Sequence, residues 1–489
     1  MPVNAYVTEP IEELIRDADP DGTLAPCGLR RLVIGPGALA AIAPTVIDLL
    51  GAGYADGPGR TTRVSLLVDK TPIMLGGEDV KELAEAQLAE YFNVTRTVLD
   101  DGHGELHVVD SILDDATNAV ADHAAVVAIG GGNISDIAKV AVQRAGEGAV
   151  PPVLVTVQTA ASVDGFTDDV SVLLRDGVKR TVPSCWPDAV VSDTGVIAEA
   201  PETMNRAGFG EMTSMLVAPA DWRLASLIGT DTTYKPNAIR LLGSVGRNLE
   251  SWAPGVRQGE SGAVASLARA LALRGIVTGV AGTTAVLSGV EHLFSHMLDQ
   301  HHAERRLPMG LHGAQVGAGS VIAASAWEML FDRLGSGTAQ PTERALDQDQ
   351  ARRRVMAAFE SVDPSLRVAE ECWKDYSAKL TTVTANWARV QALVDGWAGH
   401  RDELRSLFRP AASIAAALHE AGAATTPADL DPRVDSGLAR WAVENCALMR
   451  NRFTVVDLLT LLGWWAPADV DEVLERAARA VPAPESRKD

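Results

Sequence analysis

The sequence lacks the features of a membrane-spanning or nucleic-acid-binding protein. Its apolar runs, such as the one at 124–129, stop well short of the ~18 to 20 residues that a membrane span requires. Basic residues are in deficit, because 43 Lys and Arg stand against 64 Asp and Glu and give a formal net charge of −21. No local basic patch offsets this charge, so we expect neither nucleic acid nor membrane as a partner.

Cysteine is scarce, and its spacing excludes two further classes of protein. The four cysteines are far apart and form no CxxC pair, which argues against a disulfide framework and a zinc knuckle. The first 20 residues carry five acidic residues instead of a basic and then apolar leader, so we expect a cytoplasmic protein. Gly-x-Ser-x-Gly and Cys/His nucleophile patterns are also missing, which argues against covalent acyl transfer.

The 489 residues are enough for at least two domains, and the sequence pattern changes near residue 198. Before it, strand-like runs alternate with segments of helical period; after it, Ala- and Leu-rich helical patterns dominate. The strand-like runs lie at 31–34, 64–68, 107–109, 125–129 and 153–157, and the helical segments at 38–50, 80–92 and 116–123. We predict an α/β Rossmann-like domain with a parallel sheet over 1–197 and an all-helical domain over 198–489.

Three consecutive glycines connect a strand to a helix in the first predicted domain. Gly130, Gly131 and Gly132 follow an apolar strand, and Asn133 and Asp136 begin the helix. Without side chains the backbone can approach a ligand closely, and the helix N-terminus offers free N–H groups to a pyrophosphate. The alternative is a tight strand-to-helix turn with nothing bound, since the run is not the G-x-G-x-x-G fingerprint.

Asp69 stands at the end of the second predicted strand. An acid at this place in a dinucleotide fold accepts hydrogen bonds from the adenosine ribose and favours NAD over NADP. The alternative is a turn or capping aspartate before Thr71 and Pro72.

Histidine is concentrated in one short window of the second predicted domain. Five of the ten histidines lie between 292 and 312. His292 and His296 are spaced i, i+4, so they share one helix face, and His312 follows after a polar loop. Two imidazoles and one carboxylate make a catalytic zinc-type site with an open fourth position. Glu211 is the candidate carboxylate; the alternatives are histidines that bind no metal and an acid that stabilises a helix N-terminus.

Together these motifs resemble those of the sn-glycerol-1-phosphate dehydrogenases, within the superfamily of iron-containing alcohol dehydrogenases, glycerol dehydrogenases and dehydroquinate synthases. The resemblance extends over nearly the whole chain. It rests on the glycine run, on Thr159-Ala-Ala-Ser162-Val-Asp164-Gly, on Gly208-Phe-Gly-Glu211, on Glu291-His292 with Ser295-His296, on Leu311-His312-Gly313 and on Arg450-Asn-Arg452-Phe-Thr.

The resemblance implies a dehydroquinate synthase-like fold and a metal- and NAD(P)-dependent oxidoreductase. The expected reaction interconverts a small polyol or polyol phosphate and its ketone, with dihydroxyacetone phosphate and sn-glycerol 1-phosphate as the prototype pair. It also implies a homo-oligomer. The implied site residues are Gly130, Gly131, Gly132, Asn133, Asp136, Thr159 and Ser162 with Asp69 for the dinucleotide, Asp164 and His296 for substrate, and Glu211, His292 and His312 for the metal.

Three positions depart from the family pattern. Glu211 replaces the usual aspartate, Asp168 replaces a small hydroxyl residue, and Met215 stands where iron-type members carry a second histidine on the helix. Met215 therefore favours zinc. Sugar-phosphate cyclases of the dehydroquinate synthase type also have a glutamate at the position of Glu211. Such a cyclase, which uses NAD transiently, is the alternative function. The Gly-Gly-Lys loop of those cyclases, however, is missing here. The chain is also longer than the family pattern around 51–62 and 336–400.

Overall fold

The computed structural model describes residues 5–51, 61–175, 178–246, 248–336 and 339–482. Residues 52–60 of the expected insertion at 51–62 lie outside this set. The chain forms two compact units. Unit 1 comprises Met1–Gly208, Arg240–Arg247 and Gly255–Gly282, and unit 2 comprises Phe209–Ile239, Asn248–Pro254 and Thr283–Asp489.

All strands lie in the first 193 residues of the described chain. They are β1 Val7–Thr8, β2 Arg31–Gly35, β3 Arg63–Val68, β4 Met74–Leu75, β5 Glu78–Asp79, β6 Asn93–Val98, β7 Ala125–Gly130, β8 Val153–Gln158, β9 Val170–Arg175, β10 Val178–Pro183 and β11 Ala189–Asp193.

The α-helices occur throughout the chain, and in the described residues no strand follows Asp193. They are α1 Ile11–Ala18, α2 Ile42–Leu50, α3 Val80–Ala89, α4 Asp110–Val120, α5 Gly132–Ala145, α6 Thr194–Glu199, α7 Glu202–Met212, α8 Ala218–Ile228, α9 Pro236–Val245, α10 Leu249–Gln258, α11 Ser261–Ala281, α12 Val290–Glu304, α13 His312–Ser336, α14 Gln348–Glu360, α15 Arg367–Ala385, α16 Trp387–Asp395, α17 Trp397–Ser406, α18 Ala411–Glu420, α19 Ser436–Asn445, α20 Val455–Leu461 and α21 Pro467–Ala480.

Unit 1 is built around a seven-stranded sheet with the order β1-β2-β11-β8-β7-β3-β6. All neighbouring strands are parallel except the short β1, which pairs antiparallel with β2. The ends of β3, β7 and β8 lie side by side, because Val68 pairs with Ile129 and Gly130 pairs with Gln158. The candidate cofactor residues that follow these strands therefore gather at one edge of the sheet.

Both faces of this sheet are covered, as the continuous apolar runs of its central strands predict. Leu66 and Val68 of β3 point to one face and pack with Ile42 of α2 and Leu88 of α3. Leu67 points to the other face, where α4 and α5 pack. This alternation of side chains along a strand explains why every residue from 64 to 68 is apolar or small.

The expected strand at 107–109 is wrong. These residues form the irregular approach to α4. Besides the buried inner strand β11, the sequence pattern missed β6, Asn93–Val98. As the edge strand it has only β3 as a neighbour, and four of its six residues are exposed. Its polar pattern, Asn-Val-Thr-Arg-Thr-Val, therefore lacks the apolar run of a central strand.

Helix α11 belongs to unit 1 although it follows residue 198, the expected domain boundary. The backbone N–H of Ala25 donates to Val280 O at 2.7 Å, and Thr167 Oγ1 donates to Ala272 O. This helix is long and apolar enough to cross a bilayer, but 83% of its most apolar 18-residue window is buried within the protein. Its composition is therefore that of a core helix.

Unit 2 packs its helices around α13, which contacts α12, α18 and α21. Trp327 of α13 stacks on Phe408 with ring centroids 5.5 Å apart. The extra segment at 336–400 contributes α14 to α16 and the start of α17. Lys379 of α15 is buried, lies 2.8 Å from Asp457 and donates to Ala447 O at 2.6 Å, which makes the segment an integral part of this unit.

Candidate metal centre and cofactor site

Glu211, His292 and His312 converge in unit 2. One ligand atom from each lies within 4.8 Å of the other two. Glu211 Oε1 is 3.5 Å from His292 Nε2, and Glu211 Oε2 is 3.7 Å from His312 Nε2. Ligands about 2.1 Å from a tetrahedral ion lie roughly 3.4 Å apart, so the donor set fits a divalent metal.

Glycines allow the helices that carry these three residues to approach closely. Glu211 lies at the end of α7, and a Cβ on the preceding Gly210 would come within 2.3 Å of Gly313 O on α13. A Cβ on Gly319 of α13 would come within 2.8 Å of the carbonyl oxygen of Glu291 on α12. Larger residues at 210 or 319 would separate the helices and disperse the three ligand atoms.

A buried carboxylate orients His292. Glu291 Oε1 lies 3.0 Å from His292 Nδ1 and accepts a second hydrogen bond from Gly289 N at 2.6 Å. A carboxylate only accepts, so Nδ1 carries a proton, and Nε2 is the ring nitrogen that faces Glu211.

A chain of hydrogen bonds orients His312 in the same way. Gln315 Nε2 donates to Met309 O at 2.8 Å, which leaves Gln315 Oε1 to accept from Ser295 Oγ at 2.6 Å. Ser295 Oγ can then accept from His312 Nδ1, 2.9 Å away. The backbone carbonyl of Met309 thus sets the direction of the whole chain, and in the neutral ring of His312 the proton lies on Nδ1 and not on Nε2.

The pKa values of Asp221 and His292 are both raised in this region. Burial, and then repulsion from Glu291, raise the pKa of Asp221 to about 8, although Asp221 accepts from the backbone N–H groups of Val290 and Val455. Burial lowers the pKa of His292, but hydrogen bonds to Glu211 and Glu291 outweigh it and raise the pKa to about 9. Both hydrogen bonds favour the charged form of the ring.

His296, the predicted substrate residue of this unit, lies beside the three ligands. Its ring centroid is 6.4 Å from that of His292 and 6.0 Å from that of His312, with which it stacks. His296 is only half-buried. His301 and His302 lie about one and a half turns further along α12, where His301 contacts Trp441.

The glycine run forms the turn from β7 into α5 in unit 1. Gly131 is the residue before the helix, and α5 has no side-chain hydrogen bond capping its N-terminus. A Cβ on Gly131 would meet nothing within 4 Å, whereas one on Gly130 would come within 2.7 Å of Ile134. Asn133 donates from Nδ2 to Leu106 O at 2.6 Å, which ties the neighbouring loop to the helix.

The loop after β8 carries three further predicted residues. Thr159 is buried and donates to Gly130 O at 2.8 Å, so it supports the glycine turn. Val163, next to Ser162, lies against Gly132. Asp164 is 3.3 Å from Nε of the fully buried Arg274 of α11, and its side chain keeps 19% of its surface exposed.

Asp136 and Asp69 have protein partners. Asp136 Oδ2 accepts from Val172 N at 3.2 Å, which joins α5 to β9. Asp69 lies 2.8 Å from the buried Lys81 and accepts from Thr71 N and Oγ1, the geometry of a turn aspartate. Asp69 also lines a cavity of about 240 Å³ together with Asp100, Asp101 and His103.

Comparisons with known proteins identify the family. The chain is 30% identical over 309 residues to a glycerol-1-phosphate dehydrogenase (NAD(P)+) of Methanothrix thermoacetophila, covering 62% of this chain and 80% of that protein. It is 32% identical to the enzyme of the same name from Aeropyrum pernix, covering 60% and 77%. The chain belongs to the glycerol-1-phosphate dehydrogenase family. Residues 41–201 also match the family described as iron-containing alcohol dehydrogenase.

Solved structures agree on the fold of this glycerol-1-phosphate dehydrogenase family member. A probable glycerol dehydrogenase from Sinorhizobium meliloti aligns with a TM-score of 0.53 at 16% identity, covering 93% of this chain and 99% of that chain. A glycerol dehydrogenase from Schizosaccharomyces pombe aligns with a TM-score of 0.52 at 13% identity, covering 94% of both chains. The expected fold, a Rossmann-like sheet followed by a helical region, is confirmed.

Sequence reasoning assigned no role to the residues that surround the predicted ligands. Glu291, Ser295 and Gln315 orient the two histidines, and Arg274 contacts Asp164. The adjacency of Glu291 and His292 was a usable signal, because a histidine that binds metal needs an acceptor for its other nitrogen. No signal of this kind pointed to Gln315 or Arg274.

Proposed function

We propose that this protein is a divalent-metal-dependent reductase that converts dihydroxyacetone phosphate and NAD(P)H to sn-glycerol 1-phosphate. The convergence of Glu211, His292 and His312, with both histidines oriented by hydrogen bonds at Nδ1, carries the proposal. The names of the relatives support the substrate. They do not favour the cyclase alternative.

The proposed metal residues have a defined division of roles. Glu211 supplies the negative charge, and His292 and His312 supply neutral Nε2 lone pairs, so a bound divalent ion would retain net positive charge. A metal in this position would polarise the ketone oxygen and stabilise the developing alkoxide while a nicotinamide supplies hydride. His296, half-exposed beside the ligands, would hydrogen bond to substrate.

We infer zinc as the metal. A carboxylate and two imidazoles match the ligands of catalytic zinc sites. By the resemblance, iron-type members carry another histidine at the position of Met215, which cannot replace it as a nitrogen ligand.

The cofactor would bind in unit 1. The uncapped N-terminus of α5, behind Gly131, would receive the pyrophosphate, because its N–H groups and helix dipole favour an anion. Asp164 would contact the substrate, and Arg274 would hold its carboxylate in place. Asp69, Asp100 and Asp101 in one cavity would repel the 2′-phosphate of NADP and favour NAD. The cytoplasmic location and the homo-oligomeric state stay predictions.

The test is oxidation of NADH by zinc-loaded protein with dihydroxyacetone phosphate and unphosphorylated ketones, followed by absorbance. We expect the phosphorylated ketone to be reduced fastest and Glu211→Ala to lower the rate by at least 100-fold. Glu202→Ala, which changes an exposed acid on the same helix, is the matched control. Zinc-loaded wild-type protein that binds NAD but oxidises no NADH would exclude the reductase and favour the cyclase.

A further inference from the structure

The two proposed metal-binding histidines are each held by a different kind of partner. Glu291, fully buried on α12, accepts from His292 Nδ1 and from Gly289 N. Ser295, one turn further along α12, lies between His312 Nδ1 and Gln315 of α13. Neither partner is a proposed metal ligand.

Burial makes these partners costly unless they serve a purpose. A carboxylate without exposure to water loses its hydration, and hydrogen bonds replace only part of it. Arg452 donates to Ser288 O at 2.5 Å, just before α12. Its positive charge interacts with Glu291 and offsets some of the cost of burying that carboxylate. A well-packed apolar residue would be cheaper at this position if packing were its only role.

The partners decide which ring nitrogen bears the proton. A neutral imidazole binds metal only through the nitrogen that lacks the proton. With Nδ1 held as a donor in both rings, both Nε2 atoms face Glu211, 3.5 and 3.7 Å from its oxygens. In the other tautomer an N–H would point at the metal position and exclude the ion.

We propose that Glu291 and the pair Ser295–Gln315 are positioning residues that fix the tautomers and ring orientations of His292 and His312 for a divalent cation. The inference rests on the proposed metal site and adds three residues to it. It assigns their contribution to cation affinity, and not to the stability of the fold.

The experiment measures Zn²⁺ affinity directly, with the full-length protein stripped of metal and titrated against a chromophoric zinc chelator. We expect Glu291→Gln, which keeps the shape but loses the charge, and Ser295→Ala, which removes the acceptor for His312, each to weaken zinc binding by about 10- to 100-fold. Glu304→Gln is the control, because Glu304 lies on the same helix but pairs with the exposed Arg367. It should bind zinc as wild type does.

A second readout separates positioning from structure. The midpoint of thermal unfolding of the metal-free variants should stay near that of wild type, while the increase caused by zinc should shrink, because a ligand stabilises only in proportion to its affinity. If metal-free variants unfold at lower temperature but bind zinc within threefold of wild type, the partners are structural and the inference is overturned. Wild-type protein that binds no zinc would overturn the metal site itself, and zinc binding without NADH oxidation would overturn only the proposed reaction.

Discussion

Lys139 and Asp168 form a buried ion pair inside unit 1, with Nζ and Oδ1 2.7 Å apart. Lys139 also donates to Gly165 O at 2.8 Å and to Val170 O. Both side chains are almost completely buried. The ammonium therefore holds the loop between Asp164 and β9, and the acid at 168, unusual for the family pattern, has a partner within the protein.

Lys139→Met should destabilise unit 1. The substitution leaves Asp168 buried without its cation, and breaking a buried pair from one side costs about 3 to 5 kcal/mol. Urea unfolding should show this as a lower midpoint. Lys374→Met is the control, because Lys374 pairs with Glu371 at an exposed site and should change the unfolding free energy by less than about 1 kcal/mol. Equal midpoints for the two variants would contradict a stabilising role for the buried pair.

The raised pKa of Asp136 leads to a prediction of how the stability of unit 1 depends on pH. Burial raises the pKa of Asp136 to about 7, against the attraction of Lys139. Between about pH 4 and pH 7 the folded state therefore binds more protons than the unfolded state at this residue, so its contribution to stability falls as pH rises. Asp136→Asn removes that dependence and should gain stability relative to wild type as pH increases.

Thermal unfolding at pH 5 and pH 8 tests this expectation. The difference in melting temperature, Asp136→Asn minus wild type, should be more positive at pH 8. Asp114→Asn changes an exposed acid on α4 and should show no such trend. A difference for Asp136→Asn that is the same at both pH values would show that the residue does not titrate in this window.

The sequence predicted four of the five inner strands of the sheet, β2, β3, β7 and β8, but missed the fully buried β11. The runs at 64–68 and 125–129 are continuous and apolar, so their pattern needs no knowledge of neighbours. The hairpin of β9 and β10 was missed because its strands pair only with each other, and their mixed pattern, as in Val-Lys-Arg-Thr-Val-Pro, does not distinguish strand from loop. One-sided pairing therefore explains why β6, β9 and β10 were missed, but it does not explain the omission of β11.

The candidate site also has a part that the sequence predicted and a part that it could not predict. The clustering of histidines between 292 and 312 indicated the metal residues, and the structure brings His292 and His312 to Glu211. The tautomers could not be predicted, because they depend on a bond from Gln315 to Met309 O and on the packing of α12 against α13. Such bonds join residues whose sequence positions carry no common pattern.

Gly131 and Gly130 allow a sharp test of the proposed pyrophosphate site, because a methyl group at the two positions would meet different surroundings. Gly131 has φ −76° and ψ −173°, which alanine adopts freely, and its Cβ would enter open space at the start of α5. Gly131→Ala should therefore fold with an unchanged melting temperature but raise the KM for NADH about tenfold or more, since the methyl group would obstruct the approach of the phosphates.

Gly130→Ala should have the opposite pattern, with a larger effect on the melting temperature than on the KM for NADH. Its Cβ would lie 2.7 Å from Ile134 Cγ1, so the side chain or the helix must shift, at a cost of about 1 to 3 kcal/mol. We expect a lower melting temperature for this variant, and a smaller increase in KM for NADH in the molecules that remain folded at 25 °C than Gly131→Ala shows. Steady-state kinetics and thermal unfolding of both variants provide the comparison. If Gly131→Ala binds NADH as wild type does, the turn is a structural connection between β7 and α5, and the pyrophosphate lies elsewhere.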